Sequence, residues 1–128
     1  MLPFAIELRP GLPITEQVIF AVKKAVVAGR LKPGSAFPSV RSLSQELRIN
    51  PNTAHKITAT LVAEGVLITT PAVGSIVAGP PDGADPTARA ALLEDELERV
   101  VVEAKNLGLG LDEVQTELAA HWRRLGKK

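Results

Sequence analysis

Apolar positions recur at helical spacing three times along the first part of the chain, then give way to β-branched runs. Ile14, Val18, Ala21, Val22 and Ala25 fall on one face at a 3.6-residue period, which predicts a helix over 13–28 that Gly29 ends. The connector RLKPGSAFP (30–38) holds two prolines and a glycine and reads as a fixed loop. Ser39 is placed to cap a short second helix that turns Val40, Leu43 and Leu47 inward and ends near Leu47. A third helix starts behind the N-cap residue Asn50, with Pro51 at the first helical position, where its missing N–H costs nothing. It runs to about Glu64, and Gly65 stands where a left-handed C-terminal residue is wanted. VLITT (66–70) and SIVA (75–78) flank PAVG and predict a two-stranded hairpin. Three helices with a tight turn between the second and third, followed by a hairpin, make a winged helix-turn-helix over residues 1–79.

GPPDGADP (79–86), with three prolines and two glycines, cannot continue a helix or a central strand, so residues 80–87 read as a linker. Residues 88–128 then carry two amphipathic helices. Leu93, Leu97, Val100, Ala104 and Leu107 are spaced 4, 3, 4, 3, as in a coiled-coil seam. GLG (108–110) turns the chain, and Leu111, Val114, Leu118, Trp122 and Leu125 form a second stripe. A unit this small has too little of itself to cover its own apolar side, since domains below roughly 40 to 50 residues seldom fold alone. A twofold homodimer is the expected solution, with both stripes in the interface and Trp122 as an anchor. The predicted class is mainly α: a winged helix-turn-helix of three helices and a β-hairpin wing, followed by a two-helix antiparallel dimerisation hairpin.

Composition narrows the functions. Absence of cysteine excludes disulfides and thiolate sites. The longest apolar runs are split by Lys23 and Lys24, and the N-terminal stretch lacks a basic segment followed by an apolar run, so a cytoplasmic protein is expected. No nucleophile–base pair, metal-spaced cluster or glycine-rich phosphate loop is present, and the two histidines, His55 and His121, are far apart. An enzyme is not expected, nor a catalytic residue, metal or cofactor. The net charge of +1 hides an asymmetry: residues 1–79 hold eight Lys/Arg against four Asp/Glu, and the remainder seven against ten. Only the first part suits a polyanion. Lys23, Lys24, Arg30 and Lys32 are candidates to steer phosphate, although charged faces of this kind are more often simply solvated.

The start of the third helix, RINPNTAHK, carries the candidate chemistry. At 100° per residue, Ala54, Ile57 and Leu61 cluster on one side, while Asn52, His55, Lys56 and Ala59 lie opposite. Polar groups at the N-terminal end of an outward face are what a helix in the major groove presents to base edges. Asn pairs with adenine in two hydrogen bonds, and His or Lys donates to guanine. Thr53, at the flank, suits a phosphate, helped by the free N–H groups of the helix start. The competing reading is a well-capped helix with a solvated face, and with it a winged helix used as a protein–protein adaptor without specific DNA binding.

The run from Gly29 to Ala78 resembles the DNA-binding domain of the GntR family of bacterial transcription regulators. The shared marks are G-x-L-x-P-G (Gly29, Leu31, Pro33, Gly34), P-S-x-R (Pro38, Ser39, Arg41), N-x-x-T (Asn50, Thr53), E-G (Glu64, Gly65) and the late wing Gly74. The leading PFAIELRPGLPITEQV and the short two-helix tail look like the YtrA subfamily. The resemblance implies a dimer bound to double-stranded DNA at an inverted-repeat operator, and a repressor of a transporter operon of the ABC class. It implies DNA contact by Arg41, by the helix start at Asn50, Pro51, Asn52, Thr53, His55 and Lys56, and by a wing tip over 71–75 that includes Gly74 and Ser75. Arg48, in the turn, is a further candidate. Pro51 and His55 stand where some relatives carry arginine, the wing has no charge, and Phe37 replaces the usual leucine. Each reading head is therefore expected to grip DNA lightly. The tail is too small for the ligand-binding domains of larger relatives, so an unknown small-molecule effector would have to act at the dimer interface or through the spacing of the heads.

Overall fold

The computed structural model describes residues 2–71, 74–78 and 86–125, by backbone alone at 86, 88 and 89. Its elements are α1 (Ile14–Val27), α2 (Val40–Leu47), α3 (Pro51–Ala63), β1 (Leu67–Thr70), β2 (Gly74–Val77), α4 (Pro86–Asn106) and α5 (Leu111–Leu125). They form two compact units, residues 1–80 and 81–128. The first has the expected winged helix-turn-helix order.

Local signals place each helix of the first unit. Ser39 Oγ accepts the Ser42 N–H at 3.1 Å and opens α2, and Asn50 Oδ1 accepts the Asn52 N–H at 2.7 Å and opens α3. Each bond satisfies a donor that a helix start leaves unpaired. At the far end of α3, Gly65 takes φ 81°, which releases the chain into β1. The core lies where α3 packs against α1, α2 and β1. It is built from Val18, Val22 and Ala25 of α1, Leu43 of α2, Ala54, Ile57 and Leu61 of α3, and Leu67 and Val77 of the wing. Each large side chain among them contributes about 1.5–3 kcal/mol by leaving water. Phe4 and Phe37 are also buried, their rings parallel with centroids 6.0 Å apart. Gln17 holds the leading segment on α1: its Nε2 donates to the Arg9 and Leu12 carbonyls, and its Oε1 accepts the Arg9 N–H at 2.7 Å.

Some faces differ from the periodic reading. Ile14, expected inward, is exposed at the first position of α1. Val40 and Leu47 are half-buried, and Ser44 is buried instead, its Oγ donating to the Arg41 carbonyl at 2.9 Å. Thr58 Oγ1, at the edge of α3, is buried with no hydrogen-bond partner among the described residues. Thr58→Val is therefore expected to stabilise the protein by about 1 kcal/mol, since it replaces an unsatisfied hydroxyl with a methyl of the same shape. Thermal unfolding of the variant measures this, and a lower Tm would show that the hydroxyl has a partner.

The wing is a short antiparallel ribbon in the register Leu67↔Val77 to Thr70↔Gly74. Its second edge is not free. Gly34 N–H donates to the Val77 carbonyl, Val77 N–H to the Ser35 carbonyl and Phe37 N–H to the Ser75 carbonyl, at 2.8–2.9 Å. The loop before α2 thus acts as a third strand with a bridge at Ala36↔Ile76, and fixes the base of the wing to the start of α2.

In the second unit α4 begins at Pro86, so Pro86 and Thr87, expected in the linker, form the first helical turn instead. Proline is tolerated there, because a first-turn N–H has no helical acceptor. Gly108 at φ 77° and the Leu109 N–H bond to the Ala104 carbonyl close α4. The Glu113 carboxylate accepts the Gly110 N–H at 3.3 Å and opens α5, the back-reaching half of a capping box. The apolar stripes of the two helices do not close on each other. Leu93, Leu97, Val100, Leu107, Leu111, Leu118 and Trp122 are between 44% and 72% exposed, and no residue of α5 is buried. Ala104, expected in the same seam, is the exception: it is buried within the chain. Among the described residues no helix is long and apolar enough to cross a membrane.

Candidate nucleic-acid interface

Burial splits α3 as the periodicity predicts. Ala54, Ile57 and Leu61 are fully buried, while Asn52, His55, Lys56 and Ala59 are exposed. The Asn52, His55 and Lys56 side chains make no hydrogen bond or ion pair among the described residues. Their donors and acceptors are consequently available to a partner, within the first two turns of one helix. Thr53 is half-buried at the flank of this face, and Pro51 is exposed at its tip. Asn50, expected as a contact, has its Oδ1 committed to the helix cap, which leaves its amide N–H₂ as the free group.

Electrostatics favour an anion at the same end. Neither α2 nor α3 has an acidic residue in its first turn, a feature that α4 shares, whereas α1 has Glu16 and α5 has Asp112 and Glu113. Acids at a helix start offset the positive end of the dipole, so leaving them out keeps that end open to phosphate. Arg41 lies in the first turn of α2 and is exposed. Arg48, also exposed, caps α2 with φ 56° and ψ 48°, a left-handed conformation that the sequence did not announce, because no glycine or asparagine marks it. Lys23, a candidate for phosphate steering, is instead paired with Glu64, which ties α1 to the C-terminal end of α3.

The wing differs from expectation in one respect. Ser75, expected at the tip, lies within β2 opposite Thr69, and its carbonyl is held by Phe37. Gly74 is exposed and pairs with Thr70 at φ 95°. The remaining tip residues 72 and 73 lie outside the described residues. No group of side chains that could hold a metal ion occurs among the described residues.

A helix-turn-helix with an exposed polar reading end, backed by an anchored β-hairpin, defines a winged-helix DNA-binding unit. The chain belongs to the gntR family of bacterial regulatory proteins, whose model matches residues 14–77. It is 28% identical to the HTH-type transcriptional repressor YtrA of Bacillus subtilis over 85% of this chain and 84% of that protein. Among solved structures, a transcriptional antiterminator from Listeria monocytogenes EGD-e superposes with a TM-score of 0.79 at 28% identity, covering 94% of this chain and 89% of its own. YtrA from Sulfolobus acidocaldarius, a GntR-family transcription factor, gives 0.54 at 25% identity, covering 94% and 97%.

Proposed function

We propose that the protein is a homodimeric repressor that binds an inverted-repeat operator in the cytoplasm through α3 of each copy. In this reading residues 1–79 are the DNA-binding domain, the linker ends before Pro86, and the two helices from Pro86 onward are the dimerisation domain. The observation that carries it is the set Asn52, His55 and Lys56, exposed and without side-chain partners among the described residues at the positive end of α3. Arg41 and Arg48 hold the phosphate backbone on either side, while Asn50 and Pro51 shape the helix tip. Thr53 meets a phosphate, and Gly74 with Ser75 sets how near the wing approaches. Repression, rather than activation, follows the similarity to the Bacillus subtilis repressor. Control of an ABC-type transporter operon is part of the same proposal.

Exposed stripes support the dimer. Two copies that lay α4 and α5 against each other would bury Leu93, Leu97, Val100, Leu107, Leu111, Leu118 and Trp122, which one chain leaves exposed, together with the half-buried Val114. Helices of 21 and 15 residues with so little internal packing are marginal on their own, and their stability has to come from a partner surface.

Titration of a labelled duplex from upstream of the protein's own gene, against a random duplex of equal length, tests the DNA reading. Operator preference and a steep fall of affinity with salt are expected. Arg41→Ala should weaken binding to both duplexes and flatten the salt dependence by about one unit per head, because a phosphate contact carries no base information. Binding with neither preference nor salt dependence would overturn the proposal.

A further inference from the structure

Among the described residues, Arg48 is the one non-glycine residue with positive φ. An L-residue there crowds its Cβ against the following carbonyl, a strain that glycine lacks and asparagine tolerates. The turn requires the conformation. Arg48 N–H and Ile49 N–H both return to the Ser44 carbonyl, and only three residues separate the end of α2 from the start of α3. A purely structural turn would be better served by glycine.

Arg48 is exposed and makes no ion pair or hydrogen bond through its side chain among the described residues. It stands two residues ahead of the Asn50 cap, at the same end of α3 as Asn52, His55 and Lys56. Arginine is always charged, and its planar fork of donors matches two phosphate oxygens at once. We infer that Arg48 is a DNA-backbone contact held at a cost in fold stability, its left-handed turn setting a phosphate-binding guanidinium beside the reading end of α3. This role rests on α3 entering DNA as proposed above. It adds an opposition between stability and grip located in one residue.

Full-length Arg48→Gly, Arg48→Asn and Arg48→Lys proteins test it, by thermal unfolding and by salt-series titration of a random-sequence duplex and the duplex from upstream of the gene. Arg48→Asn is the cleaner relief of strain, because glycine also loosens the unfolded chain. Arg48→Asn is expected to unfold about 4–8 °C above wild type, and Arg48→Gly above wild type by a smaller margin. They should bind either duplex roughly tenfold more weakly per reading head, as loss of a charge-assisted hydrogen bond implies. Their salt slope should fall by about one unit per head. Arg48→Lys should keep the wild-type slope and unfolding temperature. Uncharged variants that gain stability yet bind with wild-type affinity and slope would reduce Arg48 to a turn residue. Variants no more stable than wild type would remove the strain. A wild-type protein that binds neither duplex would instead overturn the DNA-binding proposal itself, a result distinct from both.

Discussion

Ending the chain at Gly79 is expected to leave a folded, monomeric reading head that binds operator DNA about 10²- to 10⁴-fold more weakly than the full chain. The head should survive because its core is complete without the tail: Val18, Val22, Leu43, Ile57, Leu61, Leu67 and Val77 are all buried within residues 1–80. The affinity should fall because no second head is then held nearby. In the proposed dimer, once one α3 is seated, the other would meet its half-site at an effective concentration set by the connection, in the millimolar range for short links. An uncharged wing and a helix start with one lysine are expected to make each head weak, so this term should matter more here than in a strongly basic relative. The same loss should follow inside the full chain from Leu97→Lys combined with Leu118→Lys. Both leucines are about half exposed in a single chain and would be desolvated in the dimer, where a lysine would carry an unpaired charge. Light scattering and operator titration are read together. A dimer that persists without residues 80–128, or a monomer that keeps full affinity, defeats the assignment of the tail.

Much of the first unit was legible because its helices obey local rules. Ser39 and Asn50 cap where a polar residue precedes an apolar period, and Gly65 ends α3 where a left-handed residue is needed. The two faces of α3 separate cleanly because Ala54, Ile57 and Leu61 share one 3.6-residue stripe. What escaped the sequence depends on distance in space. Nothing in the residue types of 34–37 says that their backbone will lace onto β2, since that pairing uses only main-chain groups. Lys23 meets Glu64 across 41 positions, a separation that no periodicity records. Ser44 is buried because its hydroxyl finds the Arg41 carbonyl one turn back, which lets a polar residue take an inward place. The left-handed turn was hidden because arginine is not a residue type that signals it. α4 starts at Pro86, two residues inside the stretch that reads as linker, since proline suits equally the end of a linker and the first residue of a helix.

Alanine substitutions on opposite sides of α3 should separate fold from reading. Ile57→Ala is expected to cost about 2–5 kcal/mol of stability, because Ile57 is wholly buried and its removal leaves a cavity under the helix. Binding to operator and random DNA should fall together, in proportion to the fraction unfolded, and the preference between them should survive in the folded remainder. Asn52→Ala and His55→Ala should do the reverse. Both side chains are exposed and have no partner among the described residues, so stability should change by less than about 0.5 kcal/mol. Each should instead cost about 1–3 kcal/mol in operator affinity and relax the base preference at one position of each half-site. Random-sequence DNA, which offers the same phosphates without the right bases, should be bound almost as before. Denaturation curves and a set of single-base operator variants distinguish the two patterns. If Asn52→Ala and His55→Ala weaken operator and random DNA equally, then the exposed face of α3 rests on the backbone and the bases are read elsewhere. That outcome would transfer the burden of specificity to the wing, whose anchored base already fixes its approach to the start of α2.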